Sequence, residues 1–520
     1  MFLFLIACTP IEKSDTAVAD SVEELTQSES LSLRQSYSLE RQILLEQGEA
    51  QWWVEIDSYS HQYGGAGLLI DDLDNDGWKD IVLLRRNGDH LYRNIDGVSF
   101  RKEEFPQTEG MGAAASSVDF DRDGDKDILL NTVRGDDVLL RNQNGQWTEQ
   151  ILSSPTHSAG SSWYDWNKDG RLDVVIAGYG DDQTEGLNEA FESNTPYPGE
   201  DNRFYQQDSH GNLVEEFPFD YGSSVSPYTF NLSWLPMNED HFWDLFSVND
   251  FGMLNGGHQV FWNQNGENIE LATSSLGVEL EMFGMGVAIA DINEDQRPDI
   301  SISNIGNSGI LLSDGMTWYD AVASLGMTST EERHTCWGID WADVNLDGHL
   351  DLWIGCGPLA LHEGDDFYNP PNQPDALFLW TEEGYVDIAS EWGIDRRSNT
   401  RSGGFTDLNN DGCLELIRVA VDGAAEIFEG ECGNGNWLNL RLDDGNSGIG
   451  AQVEVISENR HWTDWMLAGG SSFATFLPLE LHFGLGLETE IEIRILWADG
   501  TEQRVEQVAV NQTLVIQKIE

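Results

Sequence analysis

Apolar residues in this chain fall into short runs of branched side chains, and polar, acidic turns separate the runs. Such runs follow acidic turns at residues 81–84, 128–130, 174–176 and 352–354, and residues 65–70 and 285–290 precede one. Short apolar runs of this kind, bounded by turn residues, predict strands rather than helices. The pattern therefore predicts an all-β chain in which each acidic turn joins the two strands of a hairpin.

The acidic turn is a nine-residue motif that occurs six times. It carries side-chain oxygens at positions 1, 3, 5 and 9, and glycine at position 6 in five of the six copies. The copies span residues 72–80, 119–127, 165–173, 291–299, 343–351 and 407–415. Carboxylates this dense repel one another unless a cation lies among them. The motif therefore predicts metal sites as well as hairpins.

We predict calcium as the bound cation, at about six sites. Calcium takes roughly six to eight oxygen ligands, whereas magnesium keeps its waters and zinc prefers Cys and His. Positions 1, 3, 5 and 9 would bind through side chains, and position 7, whose residue type varies freely, through its backbone carbonyl. The predicted ligand residues are Asp72, Asp74, Asp76, Trp78 and Asp80; Asp119, Asp121, Asp123, Asp125 and Asp127; Asp165, Asn167, Asp169, Arg171 and Asp173; Asp291, Asn293, Asp295, Arg297 and Asp299; Asp343, Asn345, Asp347, His349 and Asp351; and Asp407, Asn409, Asp411, Cys413 and Glu415.

The six copies differ in predicted calcium affinity, and the alternative interpretations of the motif are less well supported. It is not an EF-hand loop, which needs a bidentate Glu at position 12 and flanking helices. The first two copies have four carboxylates each at the ligand positions and should bind most tightly. Gln296 replaces glycine beside Pro298 in the fourth copy, which is the weakest candidate. A solvated acidic turn without metal is the alternative, which six copies of one spacing disfavour.

A seventh, degenerate copy is hidden in the long gap between the third and fourth motifs. Residues 236–244 keep Asn238, Asp240 and Asp244 at positions 3, 5 and 9 but have Pro236 at position 1. We interpret it as a repeat that has lost its metal. Seven units of about 50–55 residues, each with several short strands, predict a seven-bladed β-propeller.

The motif and its flanking strands resemble the FG-GAP/VCBS repeats of the integrin α-chain propeller, over residues 51–433. The tail resembles an ASPIC/UnbV module over residues 434–520, through segments at 437–442, 448–455, 469–472, 481–486 and 495–500. Alternating apolar and polar positions there also predict a small β-sandwich or barrel. The whole is similar to bacterial relatives of the cartilage acidic protein family. This resemblance implies calcium-dependent, extracellular and non-catalytic roles.

The chain is strongly acidic, with a formal net charge of −65 from 92 acidic and 27 basic residues. Bound calcium would offset only part of this charge. The remainder argues against nucleic acid and anionic membrane surfaces as partners. We expect a protein or glycan ligand on an exposed propeller face.

The N-terminus predicts export. Residues 5–8, Leu-Ile-Ala-Cys, resemble a bacterial lipobox in which Cys8 would receive lipid, although no positive segment precedes them. A stub of an ordinary secretion signal, or a chance match, is the alternative. We predict a signal segment at 1–8, a flexible polar tether at 9–50, and no transmembrane helix. The expected location is an outer-membrane-anchored lipoprotein, the cell surface or the extracellular space.

Four further cysteines are predicted to pair in an oxidising compartment. Cys336 and Cys356 flank the copy at 343–351, and Cys413 and Cys432 lie in the last blade. We predict the disulfides Cys336–Cys356 and Cys413–Cys432, with free thiols as the alternative.

The function that these features favour is a non-catalytic binding or adhesion scaffold. No nucleophile elbow, zinc-protease motif or phosphate-binding loop is present, and we predict no catalytic residue. A polysaccharide lyase or hydrolase built on a propeller is one alternative. A periplasmic partner subunit is another.

Overall fold

A computed structural model describes the backbone of Leu33–Ser38 and residues 66–519, apart from 87, 98, 153–156, 181–188, 191, 217–218, 221–225, 239, 273–274, 329–333, 360–372, 396–398, 422 and 431. Its regular structure is almost entirely strand, which confirms the predicted all-β class. Cys8 and the predicted signal segment lie outside the described residues.

The first three sheets follow one another after an early strand, β1 (Leu33–Ser38). The first contains β2 (Gly67–Asp71), β3 (Asp80–Leu84), β4 (His90–Asn94) and β5 (Phe100–Glu103). The second contains β6 (Met111–Val118), β7 (Asp127–Val133), β8 (Asp137–Gln143) and β9 (Gln146–Leu152). The third contains β10 (Ser158–Tyr164), β11 (Asp173–Gly178), β12 (Arg203–Gln207) and β13 (Leu213–Glu216).

Four more sheets continue the series. The fourth contains β14 (Phe219–Asp220), β15 (Tyr228–Leu235), β16 (Asp244–Asp250), β17 (Gln259–Asn263) and β18 (Ile269–Leu271), with a one-turn helix α1 (Gly252–Asn255) after β16. The fifth contains β19 (Val287–Ala290), β20 (Asp299–Ile302), β21 (Gly309–Ser313) and β22 (Trp318–Asp320). The sixth contains β23 (Cys336–Ala342), β24 (Asp351–Cys356), β25 (Ala376–Leu379) and β26 (Val386–Asp387). The seventh contains β27 (Thr400–Thr406), β28 (Glu415–Ala420) and β29 (Ala425–Gly430).

The early strand β1 completes the seventh sheet. It pairs antiparallel with β29, from Leu33 opposite Gly430 to Ser38 opposite Glu426. This strand lies inside residues 9–50, which the sequence predicted as a flexible tether. The seventh sheet therefore takes its fourth strand from the opposite end of the series.

The seven sheets contact one another in a closed circuit. The first strands β2, β6, β10 and β15 contact in chain order, as do β19, β23 and β27, and β27 returns to β2. The fourth and fifth sheets pack through Val248 and Val287, among other apolar side chains. Every residue of β3, β7 and β16 is buried, because neighbouring sheets cover both faces. This explains why the sequence shows continuous apolar runs there.

The chain ends in a C-terminal module of two sheets. Its strands are β30 (Asn436–Asp443), β31 (Gln452–Ile456), β32 (His461–Trp465), β33 (Ala468–Gly469), β34 (Thr475–Phe476), β35 (Leu481–Gly486), β36 (Ile491–Leu496), β37 (Glu502–Val508) and β38 (Gln512–Gln517). One sheet has the order β35-β30-β38 and the other β32-β31-β36-β37.

Two short strands of this module belong to sheets of the circuit. Strand β33 pairs antiparallel with β10, and β34 pairs parallel with β2. Between them, the Ser472 amide donates to the Val287 carbonyl at 2.6 Å, and the Ala474 carbonyl accepts from the Leu68 amide at 2.9 Å. We call residues 468–476 the inserted segment, because it leaves the module and runs along the first strands of several sheets.

Both cysteine pairs named above are disulfides in the structure. Cys336 at the start of β23 is bonded to Cys356 at the end of β24, and Cys413 is bonded to Cys432. Across the part of the chain that is described, no helix is long and apolar enough to cross a membrane.

Candidate metal loops

Each motif loop joins the first two strands of a sheet, as the sequence predicted. The hairpins close at the pairs Asp71–Asp80, Val118–Asp127, Tyr164–Asp173, Ala290–Asp299, Ala342–Asp351 and Thr406–Glu415. The degenerate copy occupies the equivalent place, between Leu235 and Asp244. All seven loops therefore lie at corresponding ends of their sheets.

The position 1 carboxylate organises the turn of each loop. In loop 343–351, Asp343 Oδ1 accepts a hydrogen bond from the Asp347 amide at 3.1 Å, and Oδ2 accepts one from the Gly348 amide at 2.6 Å. The same pair of bonds recurs in the loops that begin at Asp72, Asp165, Asp291 and Asp407. The amide at position 7 donates to the carboxylate at position 5 in all six loops, for example from Trp78 to Asp76 at 2.9 Å. These bonds turn positions 1 and 5 inward.

The predicted left-handed backbone at position 6 is present. Gly77 and Gly124 both have φ of 95°, and the space beside each is open, so the backbone angle alone favours glycine. Gln296 adopts the same region with φ of 69° and keeps both bonds to Asp291. The fourth copy thus retains the loop geometry despite its missing glycine.

Position 9 has a structural role that the sequence analysis did not include. Asp127 Oδ2 accepts from the Phe120 amide at 3.0 Å, and Oδ1 accepts from the Asn142 amide at the end of β8, at 2.8 Å. The same pair of bonds forms at Asp80, Asp299 and Asp351. Asp173 accepts the bond from the third strand, and Glu415 accepts the bond from within its own loop. The acid therefore ties the loop to its own sheet.

The residues in two loops fit a bound cation directly. Oxygens of Asp72, Asp74 and Asp76 lie within 4.8 Å of one another, and so do those of Asp119, Asp121 and Asp127. In the second loop, Asp119 Oδ1 and Asp121 Oδ1 are buried and have no hydrogen-bond partner in the described chain. Buried oxygens without a partner are costly and rare. A cation would satisfy both.

Burial raises the pKa of the carboxylates at positions 1 and 9 of the six loops. Desolvation is the largest cause at each of these twelve groups, and neighbouring carboxylates raise the pKa further, while hydrogen bonds from backbone amides lower it. The pKa rises to about 7 at Asp80, Asp127, Asp291 and Asp299, and to about 8 at Asp173 and Asp343. A divalent cation among these groups would favour the ionised forms.

Cationic side chains already lie against some of the loops. Arg93 forms an ion pair with Asp80, and its Nε lies 3.6 Å from Asp74 Oδ2. Arg171, whose backbone is a predicted ligand, forms an ion pair through its guanidinium with Asp169. The motif could not predict Arg93, because this residue lies on β4. These loops are therefore partly neutralised by the protein itself.

Position 4 links neighbouring loops, which the motif did not predict. Asn75 donates to the Gly124 carbonyl at 2.9 Å, Lys168 to the His241 carbonyl at 2.6 Å, and Asn410 to the Gly77 carbonyl at 3.0 Å. Arg122 donates in the same way to the Gly170 carbonyl. In each case position 4 of one loop binds the position 6 carbonyl of the next loop around the circuit.

Comparison with known families identifies both kinds of module. Residues 72–130 and 119–176 match the FG-GAP-like repeat, and residues 443–520 match the family described as ASPIC and UnbV. The chain thus contains FG-GAP-like repeats and an ASPIC/UnbV domain.

The chain is also similar to cartilage acidic protein 1 from two species. It is 24% identical to cartilage acidic protein 1 of Homo sapiens over 492 residues, which cover 84% of this chain and 69% of that protein. It is 24% identical to the Mus musculus protein over 84% of this chain and 70% of that one. Among solved structures it is similar to BBS1N in complex with ARL6DN, with a TM-score of 0.42 and 8% identity, over 76% of this chain and 96% of that chain.

Proposed function

We propose that this protein is a calcium-stabilised, non-catalytic binding scaffold that acts outside the cell. The observation that carries the proposal is loop 119–127, where three carboxylates converge and two buried oxygens have no partner among the described residues. Five further loops share its spacing, and in all six loops the amide at position 6 donates to the position 1 carboxylate. Calcium bound there would stiffen the hairpins and shape the surface that the loops form.

We further propose that the seven sheets are the blades of a β-propeller spanning about residues 51–433, with β1 as the outer strand of the last blade. The closed circuit of contacts and the hairpin in each sheet support this architecture. The C-terminal module, residues 434–520, would then be a small β-sandwich, since its two sheets share one apolar cluster. All six motif loops are proposed calcium sites with the ligand residues named above.

The proposed location is the cell surface or the extracellular space. Two disulfides and the similarity to cartilage acidic protein 1 support an oxidising compartment. Lipidation of Cys8, which lies outside the described residues, would anchor the protein to an outer membrane. The ligand would be a protein or a glycan on an exposed face of the propeller.

Thermal unfolding with and without calcium tests the proposal. Each site that binds only the folded state adds about 2.7 kcal/mol when calcium is at 100 times its Kd. We therefore expect EDTA to lower the Tm by many degrees and excess calcium, but not equal magnesium, to restore it. An unchanged Tm in EDTA would contradict calcium binding.

One observation favours the alternative of a polysaccharide-active enzyme. A cavity of about 210 Å³ lies between the circuit of sheets and the C-terminal module, and it is lined by Asp340 of β23 and Asp464 of β32 among other residues. Burial raises the pKa of both carboxyls to about 7, a range suited to proton transfer. The test is to incubate the unmodified protein with a panel of polysaccharides and to measure the sugars released. If the protein is such an enzyme, Asp340→Asn and Asp464→Asn should each abolish this release. No release by the unmodified protein would remove this alternative.

A further inference from the structure

Seven loops, the six motif copies and the degenerate copy, each have a backbone carbonyl at position 6. Six of these carbonyls accept a hydrogen bond from a side chain of another loop or of the C-terminal module. Four of these donors come from position 4 of the preceding loop: Asn75, Arg122, Lys168 and Asn410. A chain of loop-to-loop hydrogen bonds therefore runs through much of the circuit. It depends on a donor at position 4, which the metal does not require.

Two loops follow a neighbour that has no such donor. Position 4 before loop 343–351 is Glu294, which accepts hydrogen bonds when ionised, and position 4 before loop 407–415 is Leu346. In the other loops the donor comes from position 4 of the preceding loop. The carbonyls of Gly348 and Gly412 therefore have no donor from that position. Residue 239, at position 4 of the degenerate copy, lies outside the described residues.

The C-terminal module supplies both missing donors. Arg460 donates to the Gly348 carbonyl at 2.8 Å, and Trp462 Nε1 donates to the same oxygen at 2.9 Å. Arg460 also forms an ion pair with Glu294. It therefore connects loop 291–299, whose position 4 cannot donate, to loop 343–351, whose Gly348 carbonyl needs a donor. His482 Nε2 donates to the Gly412 carbonyl at 3.0 Å.

The module also reaches the first ligand position of the same two loops. Asn439 Nδ2 donates to Asp407 Oδ2 at 2.8 Å. Gly484 lies so close to Asp343 that a Cβ on it would stand 1.9 Å from Oδ2. The module therefore contacts position 1 of both loops, through a hydrogen bond at Asp407 and through close packing at Asp343.

We propose that Arg460, Trp462 and His482 are positioning residues for the metal loops 343–351 and 407–415. They replace the donor that position 4 lacks, so that docking of the module and ordering of these two loops stabilise each other. The effect on metal affinity rests on the calcium sites of the proposed function; the effect on loop order does not.

Hydrogen exchange of the full-length protein, followed by mass spectrometry in EDTA and in calcium, tests this proposal. Arg460→Ala should raise exchange in loop 343–351 in both conditions, and His482→Phe should raise it in loop 407–415. Loops 72–80 and 119–127 should keep the exchange of the unmodified protein. Arg504→Ala is the matched control, because Arg504 is a half-exposed arginine of the same module that pairs with Glu492 and Glu506.

Calcium titration by calorimetry provides the second readout. Loss of a charge-assisted, largely buried hydrogen bond should weaken a subset of the sites roughly tenfold in Arg460→Ala, with partial rescue in Arg460→Lys. Trp462→Phe, which removes only the indole donor, replaces Arg460→Ala if the latter does not fold. A uniform rise in exchange over all loops, or no change in loop 343–351, would overturn the proposal. If the unmodified protein binds no calcium, the proposed function fails while exchange in EDTA still decides this inference.

Discussion

At the scale of single residues, position 9 separates loop architecture from metal binding. The degenerate copy has lost its position 1 carboxylate, yet Asp244 is fully buried and Oδ1 accepts from the Asn263 amide at 2.8 Å. Asn238 donates to Asp244 Oδ2 at 2.9 Å. The acid is thus engaged in a loop that we do not expect to hold metal, which indicates that position 9 fastens the hairpin to its third strand.

Two substitutions distinguish these roles. Asp244→Ala should lower the free energy of unfolding by about 1–3 kcal/mol in calcium and in EDTA alike, because it leaves a buried amide without an acceptor. Asp121→Ala should destabilise the protein in calcium only, because it removes a proposed ligand. Denaturant unfolding of both variants in both conditions gives the comparison, and a calcium-dependent effect at Asp244 would contradict the structural role.

The sequence could predict features that depend on one loop alone, such as the left-handed backbone at position 6. It could not predict the role of position 4. Asn75 and its acceptor Gly124 are 49 residues apart, so the pairing depends on how one sheet faces the next. The partners of Arg460 and His482 are similarly invisible in the motif, because they lie in another module.

At the scale of elements, the hairpins were predictable from the sequence, but the pairings between strands far apart in the chain were not. Each hairpin joins neighbouring segments through a turn of known type, whereas β1 pairs with β29 and β33 pairs with β10 across hundreds of residues. No local pattern marks such pairings. The inserted segment is the clearest case, since its glycines and serines are typical of an exposed loop, yet Ser472 is fully buried.

The inserted segment should couple the module to the circuit of sheets in one cooperative unit. Phe473 is buried, with its ring centroid 5.3 Å from that of Phe230 and 5.1 Å from that of Trp337. Phe473→Ala should therefore cost about 3–5 kcal/mol and lower the Tm of the whole protein in a single calorimetric transition. Melting of the module alone, followed by an unchanged second transition, would contradict this coupling.

At the scale of the whole molecule, stability and pH are linked through the buried loop acids. Their pKa values are raised in the folded state, so between the ordinary Asp value and about 8 the folded protein binds more protons than the unfolded chain. Without metal, stability should therefore fall as the pH rises through this range. Glu480, whose pKa is lowered by Lys79 and Arg441 despite burial, has the opposite effect, but only below its ordinary value.

Calcium should reverse this trend, because its binding needs the ionised carboxylates and releases their protons. We expect the Tm in EDTA to fall from pH 5 to pH 8, and the difference between the Tm in calcium and in EDTA to widen over the same range. Scanning calorimetry at four pH values and constant ionic strength measures both. Constant ionic strength matters, because salt also screens the repulsion of a chain with a formal net charge of −65. If the difference between the two Tm values stays constant with pH, the ions bind outside the buried carboxylates. The loops would then be ordered by the backbone hydrogen bonds and by Arg93, Arg460 and His482 alone.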